Sequence, residues 1–102
     1  MNKTADVAVI GGGAVGTSIA YFLAKKNMDV VLVDKGGIAA GTSGRCDGNV
    51  MLNDTLPGYD CRLKKLSLDL FPVLARELDF DIGWSQKGSV LVIESDLEMT
   101  VA

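Results

Sequence analysis

The chain has 102 residues, 10 basic and 13 acidic side chains, a net charge of −3 and no histidine. That balance leaves no electrostatic footprint for nucleic acid or an anionic membrane surface. The absence of histidine removes the Ser-His-Asp triad, the commonest general base and the usual metal ligand together. The sequence is 48% hydrophobic with a mean hydropathy of +0.27, high for a soluble domain this small, so part of that surface is expected to face a partner or further chain. No apolar run reaches the about 20 residues that span a bilayer, and the first residues break into glycine too early for a secretion signal. The default compartment is therefore the cytoplasm. Cys46 and Cys61 form no CxxC pattern and are expected to be free thiols, with no metal site indicated.

The first element is "DVAVI", Asp6 to Ile10, a short apolar run typical of a strand covered on both faces. Val15, Ile19, Phe22 and Leu23 then recur at helical spacing, Lys25 and Lys26 sit where the helix dipole favours cations, and Asn27 supplies a left-handed cap. "DVVLVDK", Asp29 to Lys35, repeats the strand signature, and residues 6 to 34 make a βαβ unit. Residues 36 to 49, "GGIAAGTSGRCDGN", carry no period and read as a loop.

From Tyr59 to Phe80, Leu63, Leu66, Leu70, Leu74 and Leu78 line one helical face, which Pro72 is expected to kink or split. "IGWSQKGSVLVIE" predicts two strands around a turn at Gln86 to Gly88. "SDLE", Ser95 to Glu98, has capping-box spacing and predicts a helix beginning near Asp96, six residues before the end. A helix with so little room reads as cut, so the sequence is expected to be truncated. Tyr59, Phe71 and Trp84 read as core or domain-boundary aromatics rather than cofactor stackers.

Chemistry concentrates at the first turn. Gly11, Gly13 and Gly16 form G-x-G-x-x-G after a strand and at the start of a helix. The first glycine permits the tight turn, the second lets backbone approach a pyrophosphate, and the third lets helix and strand pack closely. The helix N-terminus at Ala14 and Val15 offers N–H donors and a positive dipole end to phosphate. Asp34, at the end of the second strand, suits ribose hydroxyls and repels a 2′-phosphate, which disfavours NADP. The glycines alone do not separate NAD from FAD, because both contain the same ADP half.

The stretch from Val9 to Val50, above all "GTSGRCDGNV", resembles the N-terminus of the FAD-dependent D-amino-acid oxidase family, which includes glycine oxidase, D-amino-acid dehydrogenases, sarcosine oxidase β subunits and proline or hydroxyproline dehydrogenases. The resemblance is close to Val50 and looser beyond. It implies FAD as cofactor, with Gly11 to Gly16 at the pyrophosphate, Asp34 at the adenosine ribose and Lys35 near the adenine. Thr42, Ser43 and Arg45 would face the pyrophosphate and ribityl chain, and the backbone of Cys46, Asp47, Gly48 and Asn49 would run beside the isoalloxazine ring, with Gly48 needing positive φ and close approach. Asp34 stands where many members carry Glu, and Cys46, Asp47 and Asn49 stand where Asn, Ala and Gly are frequent, which leaves oxidase and dehydrogenase both open.

The expected fold class is thus α/β: a Rossmann-type βαβ FAD-binding segment followed by a helix, together the N-terminal part of a cofactor domain in residues 1–80, then the first strands of an incomplete substrate domain in 81–102. The implied reaction is hydride transfer from an amino acid or secondary amine to flavin, giving an imine that water hydrolyses. No residue here is assigned as catalytic, since the family's substrate-holding positions would lie beyond Ala102. A homo-oligomer or a second subunit would supply cover. The alternatives are an NAD-binding enzyme segment, which would make no use of residues 41 to 49, and a non-catalytic chain that folds on another polypeptide.

Overall fold

The computed structural model describes residues 4–55, 57–90 and 92–96, and the chain forms two compact units, residues 1–48 and 49–102. In the first unit, β1 (Val7–Ile10), α1 (Ala14–Lys25) and β2 (Val30–Val33) follow one another. Six of the eight strand residues are β-branched valine or isoleucine, which suit the pleated surface. They pair in parallel, Val7 opposite Val30 and Ile10 opposite Val33. Gly11 continues the ladder, its N–H donating to the Val33 carbonyl at 2.8 Å.

Side chains alternate across a strand, so this register sorts the residues into two sets. Val7, Val9, Val30 and Leu32 lie on the less exposed face, with Val9 buried. Ala8, Ile10, Val31 and Val33 lie on the other, where Ile10 is 90% exposed. The expectation of a strand covered on both faces is met on one only, because α1 is the single layer that the described part of this unit places against the sheet.

Helix α1 ends as its sequence predicts. Asn27 adopts φ +61°, its N–H donates to the Ala24 carbonyl at 2.8 Å, and the Met28 N–H donates to the Leu23 carbonyl at 3.2 Å. This is the Schellman arrangement, with asparagine taking the left-handed position in place of glycine.

The second unit is organised around α2 (Tyr59–Glu77). Pro72 lies inside it and does not split it: the helix gives up one backbone bond and keeps its other turns. Asp60 in the first turn and Arg76 in the last complement the helix dipole. Lys64 holds Asp54 at 2.8 Å, and the rings of Phe71 and Trp84 stack at 4.7 Å, so the segments before and after the helix fold back onto it. Tyr59 is 88% exposed, not a core residue, and the leucine face is open, with Leu63 and Leu66 each 66% exposed.

The expected strands around Gln86 to Gly88 do not form among the described residues, where 83–90 and 92–94 carry no regular structure. An isolated hairpin is marginal in water, and nothing in the described part of this unit offers a sheet for it to join. The helix expected from Asp96 lies, after its first residue, outside the described residues. Among the described residues no helix is long and apolar enough to cross a membrane.

Gly16 fixes how closely α1 approaches β1. A Cβ at Gly16 would land on the Gly11 carbonyl oxygen and lie 3.5 Å from a Val9 methyl. Gly16→Ala is expected to destabilise the protein by about 1–3 kcal/mol, the usual cost of overpacking. Gly48→Ala, where a Cβ meets nothing within 4 Å, is expected to stay within about 0.5 kcal/mol of wild type. Denaturant unfolding of the two variants measures both.

Candidate functional site

The site grows from the point where β1 turns into α1. Gly11 adopts φ +109°, a conformation that L side chains rarely adopt, and this turns the chain at the strand end. Gly13 is the N-cap of α1 and has no side chain to satisfy the first-turn donors. The N–H groups of Ala14, Val15 and Gly16 therefore look outward from the helix with no partner inside it. Ser43, from the following loop, reaches one of them, its Oγ accepting the Ala14 N–H at 2.9 Å. The Thr17 hydroxyl donates back to the Gly13 carbonyl at 2.9 Å.

Asp34 closes the other side. Its Oδ2 accepts the Gly12 N–H at 2.7 Å, and its Oδ1 accepts the Gly36 N–H at 2.7 Å and the Gly37 N–H at 2.9 Å. The Gly12 N–H first and then that of Gly36 hold the carboxyl below the usual aspartate range, against an opposing effect of burial, with the Gly37 N–H adding the smallest contribution in the lowering direction. The Ala39 N–H donates to the Gly12 carbonyl at 2.8 Å, with Gly37 at φ +101° and Ala39 at φ +57° shaping the return. The loop then makes a short 3-10 turn at Thr42–Gly44. Gly44 is required there because a Cβ would meet the Ala39 carbonyl oxygen.

Of the residues named from the sequence, the structure brings together Gly11, Gly13, Ala14, Val15, Gly16, Asp34 and Ser43. Lys35, Thr42, Arg45, Cys46, Asp47 and Gly48 are exposed residues of the same unit, and Asn49 opens the second. Cys46 is a free thiol whose Sγ lies 3.3 Å from the Ser43 carbonyl oxygen. Gly48 is not at positive φ, so that part of its expected role is not met: the backbone there is one any residue can adopt.

Sequence reasoning missed Gly36, Gly37 and Ala39 and the bond of Gly12 to Asp34, all of which act through backbone groups of these residues. A signal existed: "DKGG" places glycines two and three residues after Asp34, the spacing at which an aspartate side chain bonds its own chain.

A parallel βαβ unit with outward first-turn donors, glycines at the turn and a carboxylate at the end of β2 has the geometry expected of a dinucleotide-binding site. The chain belongs to the FAD-dependent oxidoreductase family (DAO), whose family model matches residues 6–101. Its cofactor is accordingly FAD, and the NAD alternative falls. The chain is 34% identical over 88 residues to sarcosine oxidase subunit beta of an Arthrobacter species, covering 84% of this chain and 22% of that protein. It is 39% identical over 90 residues to human mitochondrial dimethylglycine dehydrogenase, covering 84% and 10%. Against anaerobic glycerol-3-phosphate dehydrogenase subunit A1 of Haloferax volcanii it is 52% identical over 48 residues, covering 47% and 8%. The chain thus spans no more than about a quarter of the length of these relatives and of the other sarcosine oxidase subunits it matches. No solved structure matches it.

The Asp34 bonds set a pH window. In the unfolded chain the carboxyl titrates near about 3.9; in the folded chain it titrates lower. Its stabilising contribution is therefore fully present above about pH 4 and is lost as pH falls through the depressed folded value. An NMR titration following the Gly12 amide is expected to show a midpoint below about 3.9 that Asp34→Asn abolishes. A midpoint at or above the ordinary value would mean the carboxylate is not held by these donors in solution.

Proposed function

We propose that the chain supplies the ADP-binding part of a flavoenzyme that oxidises an amino acid or a secondary or tertiary amine. The observation that carries this reading is the pairing of outward N–H donors on Ala14, Val15 and Gly16 with the Asp34 carboxylate across one glycine turn. Its substrate class comes from the relatives, which include enzymes named for sarcosine and dimethylglycine.

In this proposal the first-turn N–H groups of α1 hold the pyrophosphate, Gly11 makes the turn that aims them, the missing side chain at Gly13 lets it reach them, and Gly16 seats the helix against β1. Asp34 accepts an adenosine ribose hydroxyl and Lys35 lies near the adenine. Ser43 exchanges its bond with Ala14 for the phosphate or for a place beside it. Thr42 and Arg45 face the same charge, arginine offering a planar fork for phosphate oxygens. The backbone from Cys46 to Gly48 continues toward the ring. When bound, the flavin supplies the hydride acceptor for oxidation of the carbon bearing the amine. Residues 1–80 belong to the cofactor domain and 81–102 begin the substrate domain. Substrate orientation is the work of residues other than those named here, and the relatives described as subunits make a second polypeptide the natural cover for the open apolar faces.

The 102-residue protein is expected to retain FAD and not NAD on gel filtration. It is also expected to leave the flavin oxidised when sarcosine, dimethylglycine, glycine, proline or D-amino acids are added anaerobically, because positioning supplies much of the rate. Retention of NAD alone would defeat the cofactor reading, and bleaching by an amine would show that these residues orient substrate too. In the enzyme to which the chain contributes, bleaching is expected with one of those amines. Bleaching by glycerol 3-phosphate and by none of the amines would overturn the substrate class.

A further inference from the structure

The Asp34 carboxylate is already engaged in the protein by itself. Its two oxygens accept three backbone N–H groups, from Gly12, Gly36 and Gly37. A carboxylate has about four lone-pair sites, so one remains on Oδ2 for a further donor. Gly12 is buried, and a Cβ added there would lie 3.4 Å from the Asp34 Cβ and 3.0 Å from the Ile38 Cδ1. The middle of the glycine turn is thus drawn against the end of β2. Two further bonds tie the loop that leaves Asp34 back to the same turn: the Ala39 N–H to the Gly12 carbonyl at 2.8 Å, and the Ala14 N–H to the Ser43 hydroxyl at 2.9 Å.

We infer that Asp34 is a positioning residue for the phosphate-binding turn, acting through the Gly12 backbone, in addition to being an acceptor for ribose. Its consequence for the cofactor rests on the FAD reading; the clasp itself does not. Three successive glycines have more backbone freedom than any other tripeptide. Unclasped, the turn would sample many directions for the donors of Ala14, Val15 and Gly16, and ligand binding would have to remove that freedom. The clasp removes it beforehand. Asp34 therefore acts on the phosphate end of the ligand as well as on the sugar, and its effect survives when the sugar has no hydroxyl to offer.

Two measurements test this. The first is amide hydrogen exchange in the cofactor-free protein, comparing wild type with Asp34→Ala. The Gly12 and Gly36 amides are expected to exchange about tenfold faster in the variant, the scale for loss of a charge-assisted bond, while the amides of Val31 and Val33 in β2, which face β1, keep their wild-type protection. Should Asp34→Ala lose the β2 protection as well, Asp34→Asn carries the comparison. It keeps one carbonyl acceptor, and the Gly12 and Gly36 rates are expected to lie between wild type and full exposure.

The second is a comparison of FAD with its 2′,3′-dideoxyadenosine analogue, with binding read by flavin fluorescence. Asp34→Ala is expected to weaken both, and the wild-type affinity for the analogue is expected to fall as pH drops through the depressed Asp34 value while that of Asp34→Ala stays flat. A Gly12 amide unchanged by the substitution overturns the clasp. A loss with FAD that vanishes with the analogue overturns the positioning role and leaves ribose recognition alone. If neither protein retains FAD while the exchange difference stands, the flavin reading fails and the clasp remains.

Discussion

The 2.7 Å bond from the Gly12 N–H to the Asp34 carboxylate is the contact on which the first unit depends. It joins the two places where a parallel strand pair is weakest, the turn after β1 and the end of β2. Pairing between the strands ends with Gly11, whose N–H reaches Val33, so beyond that point no sheet bond holds the chains together. The carboxylate takes over there. By also accepting Gly36 and Gly37 it sets the direction of the following loop, and that direction brings Ala39 to Gly12 and Ser43 to the start of α1.

Backbone N–H groups supply every donor in these contacts, which explains why small residues crowd the region. Gly16 keeps α1 close to β1, Gly44 lets the 3-10 turn pass Ala39, and Gly13 leaves the helix start uncapped by its own residue. The result is a set of N–H donors fixed in space with no aliphatic wall in front of them. A bound diphosphate requires that arrangement, since it is recognised through charge and donor direction more than through shape.

The apolar surface follows a different rule. The sequence is 48% hydrophobic, yet the described residues bury little of it: Ile10, Val31 and Val33 stand open on one face of the sheet, and Leu63, Leu66 and Leu70 stand open on α2. These positions keep strand and helix periodicity, so the exposed apolar residues form continuous faces rather than scattered points. The same shortage accounts for the strands that do not form around Gln86 among the described residues. Its residues have strand character, but strand character becomes a strand only beside another strand.

Much of the first unit is determined by local signals in the sequence. Runs of β-branched residues place β1 and β2, the 3.6-residue repeat places α1, Asn27 marks its end, and the glycine spacing with Asp34 points to a dinucleotide. Each is a property of a few neighbouring residues, and backbone sterics and side-chain period act at that range. Tertiary structure decided what depends on residues far apart in the chain. It chose Gly12 as the partner of Asp34 and Ser43 as the partner of Ala14, left Gly48 in an ordinary conformation and, in the described part of the first unit, laid α1 against the sheet. Composition cannot rank such contacts, because a carboxylate or a hydroxyl can bond any donor it reaches and only the folded path of the chain determines which donor that is.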